Sequence, residues 1–231
     1  MRLLVASLDE IDYMEALTLQ ERLLQLRQQN KVPDILLLLQ HPPTLTLGTR
    51  ENRHNILTPE GTLARQGVKV YKINRGGDVT YHGPGQIVGY PILNLNGYGK
   101  SVRVYVDKLE ELFIQLLEAE YGITAGRDSQ YTGVWTGGEK ITAIGCAVKR
   151  WVTMHGFAFN VNTNLSHFKW INPCGITDRG VTSLQKILGQ PQDMGQVNQQ
   201  VISHFSRVFN CETELIDRPS LQNMLGGCAY E

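Results

Sequence analysis

The sequence predicts an α+β domain in which helices layer on a mixed or antiparallel sheet. Three observations lead there. Apolar residues recur at helical spacing over 12–30, 101–122 and 192–210. Strand-like stretches cluster between the second and third of these, as GVWTG, KITAIGCAVKRW and VTMHGFAFNV, instead of alternating one for one with helices. No repeat, low-complexity tract or linker divides the chain, so 1–231 is expected to be a single catalytic-sized domain with a helical tail segment from about 184.

Taken in order, residues 2–8 suit a short strand. Asp12 caps a helix over 12–30 that places Tyr13, Ala16, Leu17, Leu23, Leu24 and Leu26 near one face. The run DILLLLQ, 34–40, is uninterrupted and too short for a helix, which points to a strand covered on both sides and stopped by Pro42 and Pro43. Thr58 and Pro59 are placed to start a short helix leading into a strand over 68–73. A glycine-rich turn region, RGGDVTYHGPGQ, follows at 75–86, and then the strand-like IVGYPILNL. Ser101 caps and Gly122 stops the second long helix. Gly137 and Gly138 form a hairpin-type turn before Lys140, and after NPCGITDRGVTS the pattern returns to helix in SLQKILG and in 192–210.

Composition narrows the class. Lysine plus arginine and aspartate plus glutamate both number 22, so no summed field draws in nucleic acid. No apolar run approaches the roughly 20 residues that cross a bilayer, and the first residues lack the layout of a secretory or transit peptide, so a soluble, cytoplasmic protein is expected. Cys146, Cys174, Cys211 and Cys228 match neither a zinc site nor a secreted disulfide framework, which leaves them as free thiols with no metal implied.

Several residues stand out chemically. Cys174 lies between a proline and a glycine in INPCGITDRG, away from regular structure, and reads either as a reactive thiol or as an inert one. A nucleophilic role needs an activator, and the chain offers His167, Asp178 and Lys140, none of which spacing alone brings to the sulfur. Cys146 falls in a strand pattern and reads as core. The glycines of 75–85 let backbone approach an anionic or polar ligand, or simply connect two strands tightly. His82 reads as pocket-lining or as satisfied by backbone groups, and alternation puts His155 on a face with Phe157 and Phe159 as a packed histidine. Lys149, Arg150 and Trp151 form a solvated hairpin end or dock an acidic protein.

In combination, RGGDVTYHGPGQ, GEKITAIG, HGFAFNVNTNL and NPCGI, in that order, resemble the octanoyltransferase family of lipoate biosynthesis, the lipoyl(octanoyl) transferases, over a stretch from HPPTLTLG near His41 to about Ser183. The resemblance implies the catalytic-domain fold of biotin and lipoate protein ligases. It implies transfer of an octanoyl group from octanoyl-acyl carrier protein to a lysine of lipoyl domains, such as those of 2-oxoacid dehydrogenases and the glycine cleavage H protein. Cys174 is then the nucleophile of a thioester acyl-enzyme, and Lys140 lowers its pKa and acts as base. Substrate contacts fall on Arg75, Gly76, Gly77, Asp78, Val79, Thr80, Tyr81 and His82, on Ala143, Ile144 and Gly145, and on Gly156, Phe157 and Ala158. Thioester exchange needs no ATP and no cofactor, an eight-carbon chain needs an apolar slot, and backbone near Gly145 or Gly175 could supply oxyanion donors. A monomer is expected. Other readings are an ATP-dependent lipoate or biotin ligase, a non-catalytic acyl-carrier or lipoyl-domain binding protein, and a cysteine hydrolase pairing Cys174 with His167.

Overall fold

The computed structural model describes residues 1–50, 52–173 and 179–226. Cys174, Gly175, Asp178 and Cys228 lie outside the described residues. Eleven strands and six α-helices follow one another along them. Strand β1 (Arg2–Glu10) leads into α1 (Tyr13–Gln28), β2 (Asp34–Gln40) and β3 (Thr44–Leu47); α2 (Glu60–Arg65), β4 (Lys69–Lys72), β5 (Val79–His82) and β6 (Gln86–Ile92) come next. Then α3 (Val102–Tyr121), β7 (Gly126–Arg127), β8 (Val134–Thr136), β9 (Glu139–Lys149) and β10 (Val152–Asn160) precede α4 (Leu184–Leu188), α5 (Met194–Phe209), β11 (Glu212–Ile216) and α6 (Arg218–Met224).

Eight strands form one mixed sheet in the order β11-β1-β2-β6-β10-β9-β8-β7, and β4-β3-β5 form a second, small one. Strand β1 runs parallel to β2 and β11, whereas β6, β10, β9 and β8 continue antiparallel. The run at 34–40 behaves as its composition requires. Leu36 and Leu38 enter a core shared with α3 and α5, while Ile35, Leu37 and Leu39 enter a second core under α1 and α6. Because successive side chains of a strand point to opposite faces, a strand between two helical layers has to be apolar at every position. The small sheet closes over a third core built on Leu45, Leu47, Val79, Tyr81, Phe168 and Ile171.

Local signals act where they are strong. The Asp12, Ser101, Ser183 and Asp193 side chains each accept a hydrogen bond from a first-turn N–H, and Gly122 ends α3 in a left-handed conformation. On α1, Leu19 and Gln20 are buried in addition to the expected face, and Leu17 is only half-buried. Pro59, not Thr58, is the residue preceding α2, and it offers no side-chain cap. The stretch 75–86 divides into bends up to Asp78, the strand β5 and a turn at Pro84 and Gly85 before β6, so the expected turn region is interrupted by a short strand. Strands β3, β7 and β11 and helix α6 had no counterpart in the sequence pattern. Strand β3 is four residues long, β7 is two, and β11 lies at a sheet edge with most of its residues exposed or half-buried, so its polar composition carries no burial signal. No helix among the described residues is long and apolar enough to cross a membrane.

The two-sided burial of β2 makes a direct prediction. Leu36→Ala and Leu37→Ala, which empty space in opposite layers, are each expected to cost about 2–5 kcal/mol in urea unfolding, whereas Ser101→Ala at the cap of α3 should cost about 1 kcal/mol.

Candidate functional site

Three separated stretches, the glycine-rich turn with β5, the middle of β9 and the middle of β10, line one cavity that opens to solvent. Its sheet wall consists of small residues. Ala143 stands directly opposite Ala158, and Gly145 opposite Gly156, on the paired strands β9 and β10. A Cβ at Gly145 would come 3.0 Å from the Gly76 carbonyl oxygen, so a side chain at that position would push the turn off β9 by a few tenths of an ångström. The Gly76 N–H completes the contact by donating to the Cys146 carbonyl at 3.1 Å. Ile144 and Phe157 also border the cavity, while both pack into the core on the α3 side.

Arg75 is anchored rather than extended. Its guanidinium donates to the Thr46 carbonyl at 2.7 Å, to the Thr46 hydroxyl and to the Gly76 carbonyl, and it presents its charge to the cavity from beneath the turn. Alternation along β5 sends Thr80 and His82 to the cavity and Val79 and Tyr81 to the core of the small sheet. Asp78 turns away as well: its carboxylate accepts from the Asn52 N–H at 2.8 Å and from the Asn55 side-chain amide. The structure therefore brings Arg75, Gly76, Gly77, Thr80, His82, Lys140, Ala143, Ile144, Gly145, Gly156, Phe157 and Ala158 to the cavity. It does not bring the side chains of Asp78, Val79 and Tyr81 there, because they hold the turn and the small sheet.

The deep side of the cavity is a cluster of aromatic and imidazole rings that the sequence pattern did not assemble. His82 stacks on Tyr13 at 5.8 Å, and His41 sits edge-on to His82 at 5.7 Å. His41 Nδ1 donates to the Ile11 carbonyl at 2.7 Å, which leaves Nε2 to accept from the Tyr90 hydroxyl at 2.7 Å. His82 Nδ1 likewise donates to Gln86 Oε1 at 2.9 Å. Burial holds all three cavity-side imidazoles neutral: His41 and His155 are pushed down to about 4, and His82 falls well below its ordinary value, with the neighbouring imidazole and the Arg75 charge adding to the effect.

His155 corrects an expectation. It does not share the Phe157 and Phe159 core; its backbone is left-handed at φ 55°, its N–H donates to Gln20 Oε1 at 2.8 Å, and its ring faces Tyr90 at 6.3 Å beside the cavity. Only 2% of the residue is exposed, and neither ring nitrogen has a hydrogen-bond partner within normal geometry, although the Asn74 carbonyl lies close enough to favour the protonated ring slightly.

Lys140 reaches the cavity through a β-bulge. Val134 pairs with Thr142 but Trp135 pairs with Lys140, so Ile141 is the extra residue of β9. Ile141 turns into the α3 core, and Lys140 emerges on the same side as Ala143 and Gly145, which strict alternation forbids. The residue is 8% exposed. Its Nζ donates to the Thr132 carbonyl at 3.0 Å and lies 4.8 Å from the centre of the Trp135 ring. Gly133, at φ 130°, lies tightly against β9: a Cβ there would stand 2.6 Å from the Thr142 carbonyl oxygen and 3.3 Å from the Lys140 Cδ and Cε.

The other expectations resolve around this frame. Cys146 is half-buried and packs against the α3 core; burial pushes its thiol up to about 11, so it is held protonated at neutral pH. His167 spends Nδ1 on the Tyr81 hydroxyl at 2.7 Å and Nε2 on Asn164 at 3.1 Å, and it stacks on Trp170 at 4.2 Å, so it serves the small sheet. Among the described residues no three His, Cys, Asp or Glu side chains gather to hold a metal ion.

Comparison with known proteins identifies the family. Residues 12–206 match the family described as the lipoyl protein ligase A/B catalytic domain. The chain is 74% identical, over 98% of its own length and 99% of the other, to an octanoyltransferase of Desulforamulus reducens. It is 56% identical to an octanoyltransferase of Caldicellulosiruptor saccharolyticus, with 97% and 96% covered. A crystal structure of lipoate-protein ligase A bound with ATP superposes with a TM-score of 0.80 at 14% identity, covering 97% of this chain and 92% of that one, a likeness of fold.

The neutral histidines set a pH dependence of stability. Their folded pKa values lie below the 6.5 of a free histidine, so the unfolded chain binds more protons between about 6.5 and 4; stability is complete above 6.5 and is lost as pH falls toward 4. Denaturant unfolding at pH 5.0 against pH 7.5 should show a loss of about 2 kcal/mol for each of His41 and His155. The difference should shrink in His155→Gln; an unchanged difference would mean that this imidazole is not held neutral.

Proposed function

The chain belongs to the lipoyl protein ligase A/B catalytic-domain family and is an octanoyltransferase of protein lipoylation, and we propose that it works through a Cys174 thioester with Lys140 as its proton-transfer partner. The observation that supports this most is the delivery of Lys140 by a bulge into a cavity whose opposite walls are Arg75 to Gly77 and the small residues of β9 and β10.

In the first half-reaction the Cys174 thiolate attacks the donor thioester carbonyl. A new C–S bond forms, the old one breaks, and the Lys140 ammonium gives its proton to the departing donor sulfur, which leaves as a thiol and leaves Lys140 as a free amine. One thioester replaces another, so no ATP is consumed. Lys140 as an ammonium favours the thiolate by charge. In the second, the neutral amine of the acceptor lysine attacks the acyl-enzyme, the Cys174 sulfur leaves, and Lys140 as a free amine takes the excess proton, giving an amide. The acyl chain lies along Ala143, Gly145, Gly156 and Ala158, where burial at about 0.8 kcal/mol per CH2 contributes several kcal/mol of preference for octanoyl over short acyl groups. Arg75, Gly76, Gly77, Thr80 and His82 cover the chain from the turn side, and Asp78, Val79 and Tyr81 keep that cover in place. The donor is octanoyl-acyl carrier protein. The acceptors are lipoyl domains, those of 2-oxoacid dehydrogenases and the glycine cleavage H protein among them, and the enzyme acts as a cytoplasmic monomer.

Intact-mass spectrometry after mixing with octanoyl-acyl carrier protein tests the scheme. Wild type should gain one octanoyl group that hydroxylamine removes, Cys174→Ala should gain none, and Lys140→Ala should acylate at least 100-fold more slowly. A wild-type chain that turns over without ever carrying the acyl group would overturn it.

A further inference from the structure

Lys140 is served by a second layer of charge. Arg179, the first described residue after Cys174 and its neighbours, lies with its guanidinium 5.3 Å from the centre of the Trp135 ring, the same ring that faces the Lys140 ammonium at 4.8 Å. Two cations that share one indole are no more than about 10 Å apart. Asp128 binds Arg179 in an ion pair, its side chain more buried than that of its partner. The other oxygen of that carboxylate accepts from the N–H groups of Gln130 at 2.8 Å and Tyr131 at 2.9 Å. The loop so folded supplies the Tyr131 carbonyl to Trp135 Nε1 at 3.1 Å and, one residue on, the Thr132 carbonyl to Lys140 Nζ. A single carboxylate thus touches both the loop carrying the ammonium's hydrogen-bond acceptor and the second cation that shares its ring.

We infer that Asp128 is a positioning residue for Lys140, setting the charge balance at the ammonium by neutralising Arg179 and setting its place by folding the 128–132 loop. The inference rests on the reading of Lys140 as the proton-transfer group. Among the described residues, the other charged groups on neighbouring elements have partners of their own or stand across the cavity. Glu110 accepts from the Gly133 N–H and pairs with Arg127, which also pairs with Glu111; Glu139 pairs with Lys186; and across the cavity stand Arg75, His82 and His155, the two imidazoles neutral.

Asp128→Asn separates charge from shape, because the amide oxygen can still accept from the loop N–H groups. It removes one negative charge from the Arg179 guanidinium that shares the Trp135 ring with Lys140, and at this separation with an intermediate effective dielectric the ammonium should lose its proton about one pH unit sooner. Two readouts follow. The high-pH limb of single-turnover acylation, where the ammonium partner of the thiolate is lost, should move about one unit lower in Asp128→Asn. The 13Cε resonance of Lys140 in lysine-labelled protein should titrate lower by the same amount. Both should return close to wild type in the double variant Asp128→Asn with Arg179→Gln, and both shifts should shrink in 1 M salt. A folded Asp128→Asn with an unmoved Lys140 titration overturns the inference. Full activity in Lys140→Ala, with the titration shift present, overturns the proton-transfer reading and leaves the electrostatic coupling standing.

Discussion

An ammonium group removed almost entirely from water has to be given partners, and much of the structure around the cavity meets that requirement. Lys140 finds a backbone carbonyl at Thr132, an aromatic face at Trp135 and a glycine, Gly133, beside its stem. All three belong to the short segment that pairs with the start of β9 or immediately precedes it. The bulge at Ile141 then converts a side chain that strict alternation would send toward α3 into one that enters the cavity.

Around this cation the cavity keeps other charge under control. Arg75 is fastened to Thr46 of the small sheet, and the three nearby imidazoles are held neutral by burial, so positive charge is confined to fixed places. Between Lys140 and His155 the sheet wall is lined largely by alanine and glycine, which leaves open space over the middle of β9 and β10. The small sheet acts as a separate support for the turn: Val79 and Tyr81 anchor it in the third core while Thr80 and His82 face the cavity. Division of one four-residue strand between anchoring and lining explains how a glycine-rich turn is held at a defined height above β9.

The legible features of the sequence were those with strong local causes. The caps at Asp12 and Ser101, the stop at Gly122 and the apolar run at 34–40 each determine structure over a few residues, and each appears as expected. The edge strand β11 and the short strands β3 and β7 carried no such signal, because their pairing depends on distant partners rather than on their own composition. At the site, the glycine-rich turn and the lysine were legible as unusual residues. Tyr13, Tyr90 and His155 were not, because each looks like an ordinary core residue until the fold brings α1, β6 and β10 to one place.

By itself the sequence determined the fold class, the long helices with their ends, the central strand and the residue types available for chemistry, since these follow from periodicity, capping and side-chain identity within a dozen residues. Only the tertiary structure decided which face each of those residues shows. A bulge redirects Lys140, a left-handed backbone redirects His155, and the small sheet turns Val79 and Tyr81 inward. The physical reason is the two-residue period of a strand: one inserted residue or one reversed φ moves a side chain to the opposite side of the sheet, and whether either occurs depends on partners far away in the chain.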